Sequence, residues 1–436
     1  MAIPPCRSLF TCLAFAISLA KIEAATFTVT TPGDDGPGSL RQAILEANLS
    51  PGPHTITFAI FSDVALRSPL PVVSTDVSII NDRFLGGVGG NGDDGSPPVG
   101  RLFECAPGHT IAITGLVLQY TSDTSGGSAL LNHGSAVTLR NCRFFSCAGS
   151  AVKSSAAATH SARTELIDCS FVMYAPGEQA IDNSSPGPTT LLVTNSSFFG
   201  SSVASTDAIV HNRSIATLTN CTFSLDTGSR AGAIAVDNDG STASLTLRND
   251  TLFGQSGGET IPLVVNSGAT TVGNCIFKTS GSTISVANAD GATFSSAGHN
   301  ISSDAAGGDA SFQPGGWLDA SGDQRNTDPL IDQQPAQNGG ATETYALLPG
   351  SPSINNADPR RAPPRDGRNY VRQDAPDVGA YEVGAKIPAT LGNISTRARV
   401  GTDDNVLIAG CIVSVAGHGN RIIARALGPS LPLADR

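Results

Sequence analysis

The sequence predicts an all-β fold: a right-handed parallel β-helix, a solenoid of about 27-residue coils, with an N-terminal helix cap and a short C-terminal β module. Three observations carry this expectation. A six-residue phrase recurs as Leu139–Phe144, Leu166–Phe171, Val193–Phe198, Leu218–Phe223, Leu247–Leu252 and Val272–Phe277. Its third residue is Asn141, Asp168, Asn195, Asn220, Asn249 and Asn274, at steps of 27, 27, 25, 29 and 25. A second series runs in phase through Asn183, Asn212, Asn238 and Asn266, at steps of 29, 26 and 28. The phrases are also rich in Val, Ile, Thr and Phe, which favour strand.

A repeat of this length is one supersecondary unit whose copies stack. It is too short for a helical hairpin, which takes roughly 33 residues or more, and it lacks the leucine-rich consensus. Coils of short strands would stack about 4.8 Å apart. Leu139 and Phe144 can both face inward only if the residue between them breaks the in/out alternation. Asn does so, because it tolerates a left-handed corner and can hydrogen-bond its copy in the next coil.

At 436 residues the chain exceeds one ordinary globular core. A solenoid escapes that limit because each coil packs only on its neighbours. Charged residues are 14% against a usual quarter, and the 48 glycines suit many tight turns. The net charge is −11 and no basic run exceeds Arg360-Arg361, which argues against nucleic acid as a partner. Of nine cysteines, Cys6 and Cys12 fall in the leader. Cys142, Cys169, Cys221 and Cys275 share one repeat position with Ser196 and Asp250, as small residues packed inside a coil would. Cys142 and Cys169 lie in adjacent coils, within reach of a disulfide. No cysteine spacing suggests zinc.

Residues 1–25 read as a signal peptide: Arg7, an apolar run from Leu9 to Ala20, and a small-residue cleavage site at Ala24-Ala25. The run is too short to span a membrane, and no later stretch is long enough. A secreted or cell-surface chain, extracellular or associated with an outer membrane, is expected.

Residues 26–58 form the N-terminal cap. Phe27–Thr30 alternates like a strand, Ser39 and Gln42 fit a capping box, and Leu40, Ala43, Ile44 and Ala47 make one apolar stripe. His54–Phe58 returns to strand. An open first coil would otherwise pair with other chains, so a cover is required. The run Gly38-Ser-Leu-Arg-Gln-Ala-Ile-Leu-Glu-Ala-Asn48, with its two strands, resembles the N-terminal module of exported bacterial β-helix proteins. These are grouped as CSLREA-domain and polymorphic-outer-membrane-protein-like sequences. The resemblance implies export and a β-helix, although Gly-Ser-Leu-Arg-Gln-Ala replaces the family's Cys-Ser-Leu-Arg-Glu-Ala.

Residues 59–325 are read as the β-helix. Gly115 lies 26 residues before Asn141, in register, and Asn300, 26 after Asn274, marks a last coil. Gly86 to Gly100 is an insertion whose Asp93-Asp94 is a weak Ca²⁺ candidate; a plain surface loop is the simpler reading. No cofactor or resident metal is otherwise implied.

Residues 326–384 lose the period. Asp328–Ile331, Asn338–Thr342, Tyr345–Pro352 and Asp377–Glu382 resemble, in order, the closing segment of the choice-of-anchor Q domain of exported bacterial β-helix proteins. Pro363–Arg368 departs from that pattern. Gly and Pro here suit a loop folded over the final coil. Residues 385–436 form a partial C-terminal β module, with strand-like Asn405–Gly410 and Arg421–Ser430, similar to a repeated module of exported bacterial proteins.

One row can carry chemistry: Lys153, Asp182, His211, Asp237 and Asp239, along the second series. Adjacent coils would set these side chains roughly 5–10 Å apart, a range in which paired carboxylates work. Turn-forming Asp explains the same row without catalysis. No nucleophile elbow, phosphate loop or His-Glu-x-x-His occurs. One Trp and five Tyr leave few sugar-stacking platforms. The expected function is a secreted or cell-surface scaffold for adhesion or glycan contact without catalysis. Its partner would be an extracellular polysaccharide or cell-surface component. The alternative is a secreted polysaccharide lyase or glycoside hydrolase acting on the β-helix face.

Overall fold

Each coil takes its path from one left-handed residue. Asn141, Asp168, Asn195, Asn220, Asn249 and Asn274 have φ of 52, 56, 51, 56, 51 and 57°, and Gly115 stands at the same corner with φ 74°. This single kink lets Leu139, Cys142 and Phe144 all point inward, where each is fully buried. The cost of the left-handed backbone is offset by side-chain hydrogen bonds between coils. Asn195 Nδ2 donates to Asp168 Oδ1 at 3.2 Å, Asn220 to Asn195 at 3.1 Å and Asn274 to Asn249 at 3.2 Å.

The computed structural model describes residues 24–82, 86–90, 99–173, 178–200, 208–226 and 234–388. Most of the leader, Asp93-Asp94 and the 389–436 part of the C-terminal module lie outside the described residues. The described chain is a right-handed parallel β-helix of about 9 turns. Among the described residues the first face holds 11 parallel strands, from Thr26–Val29 through Ala136–Arg140 to Thr293–Ser296. The second face carries Val117–Thr121, Arg143–Cys147, Ser170–Met173, Ser197–Gly200 and Thr222–Asp226. The third carries Ser150–Ser154, Gln179–Asn183, Ala208–Asn212 and Ile234–Asn238. Two long strands, Thr251–Asn266 and Ile276–Asn288, run through both and join these faces into one hydrogen-bonded sheet.

The register matches the repeat. Leu139, Leu166, Val193, Leu218, Leu247 and Val272 align on the first face. Phe144, Phe171, Phe198 and Phe223 stack on the second with centroids 4.2, 5.0 and 4.5 Å apart. Phe277 is buried too, but Leu252 occupies the coil between it and Phe223. The last corner also departs from expectation. His299 has φ 58° there, and Asn300 sits one place on, where its Oδ1 accepts from Cys275 N at 2.9 Å. Asn300 thus takes the small-residue position, because the final coil is one residue shorter than the spacing assumed. Cys105, Cys142, Cys147, Cys169, Cys221 and Cys275 are buried free thiols, so Cys142 and Cys169 are not bridged.

At the N-terminus the helix Leu40–Ala47 buries Leu40, Ala43, Ile44 and Ala47 in the same core as Val29 and Ile56. Ser39 caps it, accepting from Gln42 N at 3.1 Å. The capping box is half formed, since the Gln42 amide turns to Glu46 Oε1 at 2.9 Å. No helix among the described residues is long and apolar enough to cross a membrane.

The segment after the last coil does not fold over it as expected. Residues 304–325 do that: Ala306 and Leu318 enter the core, and Trp317 packs on Phe294 with centroids 6.3 Å apart. Arg325 holds this closure, donating to the carbonyls of Ala305, Asp309 and Gln313. Residues 328–386 instead form a strap that returns along the corner and the second face. Asp358 N donates to Asn274 Oδ1 at 2.8 Å, Asn249 Nδ2 to Asp377 O at 3.2 Å, and Asn220 Nδ2 to Arg365 O at 2.9 Å. Farther back, Thr342 Oγ1 donates to Asn195 O at 2.7 Å. An aperiodic segment carries no register of its own, so it takes the register of the polar corner it binds.

Candidate functional site

The structure brings the predicted row together. Lys153, Asp182, His211 and Asp237 are directly in register on the third face. Lys153 Nζ lies 2.9 Å from Asp182 Oδ2. His211 stands between acids, with Nδ1 3.7 Å from Asp182 and Nε2 3.9 Å from Asp237 and 3.6 Å from Asp239. Asp239 follows the Ile234–Asn238 strand and is held by Arg213, whose Nε donates to it at 2.7 Å. That hydrogen bond keeps the Asp239 carboxyl below the usual range. Burial raises Asp237 above it; His211 and Arg213 oppose the rise and Asp239 adds to it.

Every carboxylate of the row has a basic partner within 4 Å. Asp182 is only 8% exposed and also accepts from Ser184 Oγ. In this row Lys153 pairs with Asp182 and Arg213 with Asp239, while His211 stands among all three carboxylates. Arg213 and Ser184 complete it, and neither stands out in the sequence, because their part depends on side-chain reach around a turn. The charge pattern continues past Lys153: Arg101 pairs with Asp123 at 2.7 Å and Glu104 at 3.1 Å, and His133 with Glu104 at 2.9 Å. Among the described residues no group of three or more His, Cys, Asp or Glu is placed to hold a metal ion.

A groove lies between the second face and the strap. Its floor is an outward row, Gln119, Phe145, Val172 and Phe199, aligned coil by coil. Tyr120 meets Phe145 edge-on with centroids 5.7 Å apart. Tyr120 and Ser146 have φ of 54 and 48°, a left-handed kink repeated in two neighbouring coils. Such a kink in a strand re-aims side chains, and it is costly for a bulky residue. Arg143 and, from the strap, Glu343 complete a cavity of about 660 Å³. Burial raises the Glu343 carboxyl and the Arg143 charge opposes the rise. A second cavity of about 410 Å³ shares Val117, Gln119 and Arg143 and extends to Asp63, Gln337 and Ala341. The sequence did hold a signal for the floor: Phe144-Phe145 and Phe198-Phe199 place one ring inside and one outside.

No protein-family profile matches this chain, and no curated protein matches it either. The likeness of its end segments to modules of exported bacterial proteins therefore stays a resemblance.

Proposed function

We propose that the protein is a secreted or cell-surface β-helix scaffold that contacts glycan without cleaving it. The observation that carries this reading is the pairing within the charged row. Catalysis of glycosidic cleavage asks for carboxylates free to protonate a leaving group or activate water. Here Asp182 is engaged by Lys153, Ser184 and His211, Asp239 by Arg213, and Asp237 faces His211 at 3.9 Å. The groove beside the strap supplies a surface with apolar and polar parts, as ligand sites do.

The test incubates the full chain with cellulose, xylan, mannan and polygalacturonate, and measures retention, reducing ends and unsaturated products together. Retention on a polysaccharide with no released product is the expected result. Release of product that disappears in both His211→Ala and Asp237→Asn would establish the row as catalytic and overturn the reading.

A further inference from the structure

We propose that the groove between the second face and the strap binds an extended segment of a neutral polysaccharide. This rests on the glycan-contact reading above and adds the site and the chemical class of ligand.

The floor fits a chain of sugar rings. Phe145 and Phe199 face outward two coils apart, about 10 Å. That spacing sets alternate rings of an extended pyranose chain over successive aromatic side chains. Tyr120 is turned onto Phe145 by a left-handed backbone at φ 54°. Strain of this kind in a bulky residue clusters at ligand sites. The cavity volume, about 660 Å³, lies within the range of small-ligand clefts.

The polar groups select the class. Arg143 and Glu343 both line the cavity, close enough for each charge to act on the other. Among the described residues, neither side chain has a hydrogen bond or an ion pair. An open set of guanidinium donors next to an open carboxyl acceptor suits hydroxyl groups, which donate and accept at once. A polyanion fits poorly, because Asp63 and Glu343 line the groove and the chain carries a net charge of −11. The strap wall is fixed to the corner beside Glu343, where Thr342 Oγ1 donates to Asn195 O at 2.7 Å, so the groove is preformed.

Calorimetric titration of the full chain with cellohexaose, xylohexaose, mannohexaose and tetragalacturonate tests the proposal. At least one neutral hexasaccharide should bind, and tetragalacturonate should not. Phe145→Ala with Phe199→Ala should weaken binding about tenfold or more, the scale of one to two lost ring contacts. Both rings point away from the core, and Arg143→Ala, at an exposed position, gives a second readout if the double variant folds poorly. Affinity unchanged in both variants would remove the groove as the site while leaving glycan contact standing. Binding of tetragalacturonate in preference to the neutral sugars would overturn the ligand class. Binding of none of the four, with no retention on the polysaccharides, would overturn both the groove and the glycan reading.

Discussion

The coils from Leu139 to Phe277 and the strap over residues 328–386 lie side by side and are held by opposite means. The coils are stabilised by repetition: in-register backbone ladders and an interior of stacked Leu, Phe and Cys. The strap pairs through scattered single bridges and is fixed by buried charge. Arg372 reaches Glu382 at 3.0 Å with side chains 2% and 0% exposed. Arg368 binds Asp366 and lies over the rings of Tyr370 and Tyr381 at 4.8 and 3.9 Å. The two regions meet at the corner asparagines. Asn220 donates to Asn195 within the solenoid and to Arg365 O in the strap, and accepts from Arg372 Nη2 at 3.0 Å. A residue chosen to turn a coil thus also supplies the docking edge. Repetition gives stability that is local, whereas buried charge gives a position that depends on every partner being present.

The sharpest test of this contrast is Asp250, a carboxyl buried inside the solenoid without a basic partner. Asp250 is fully buried, accepting from Cys221 N at 2.6 Å and Arg248 N at 2.9 Å. Burial pushes its pKa to about 8. The unfolded value is about 3.9, so the folded state keeps a proton that the unfolded state has lost. The stabilisation is complete below about pH 4 and is lost as pH rises through 8, on the order of 5 kcal/mol in all. Thermal melts from pH 5 to 9 should fall steeply for the native chain and little for Asp250→Asn, which copies Asn300. Equal slopes would contradict the account.

Phe198→Ala should cost about 3–5 kcal/mol, as for other buried Phe truncations. Hydrogen exchange should rise only in the coils flanking Phe198; a uniform rise along the chain would deny that coils couple to neighbours alone. Arg372→Ala leaves Glu382 buried without its cation. The cost should be about 3 kcal/mol, at the low end for an orphaned buried charge. Gln373 N and Asp377 N still donate to that carboxylate. Limited proteolysis should then cut the strap while circular dichroism keeps the strand signal, and cutting within the coils first would break the comparison.

The smallest effect concerns the third-face asparagine ladder. Asn183, Asn212, Asn238, Asn266 and Asn288 donate each to the next at 2.7 to 2.8 Å. The ladder stops at Asn183, whose Oδ1 is buried and has no hydrogen-bond partner. Ser154 occupies the preceding coil, next to Asn132. Ser154→Asn should supply the missing donor and stabilise by about 1 kcal/mol. A lower melting temperature would show that the Ser154–Thr164 hydrogen bond, 2.8 Å, matters more.

What was legible in the sequence follows the same division. The period of Asn141 to Asn274 and the inward Phe positions predict the coils, because each residue's place is written several times. Where one copy deviates, the reading slips: a shortened step moves Asn300 off the corner. The charged row is predicted as a neighbourhood, but its completion by Arg213 and Ser184 depends on side-chain geometry. The groove is not legible as a site. Glu343 comes from the aperiodic strap, and Tyr120 faces Phe145 only because of a left-handed kink that no Gly or Asn announces.

Hydrogen exchange with mass spectrometry on the native chain and on Asn220→Ala tests the central claim most directly, that the strap docks along the asparagine corner. Asn220 contacts the strap at Arg365 and Arg372, far away in sequence. The account predicts lost protection across residues 338–382, with the coils keeping theirs except beside Asn220. Lost protection confined to the coils around Asn220, with the strap unchanged, would contradict it.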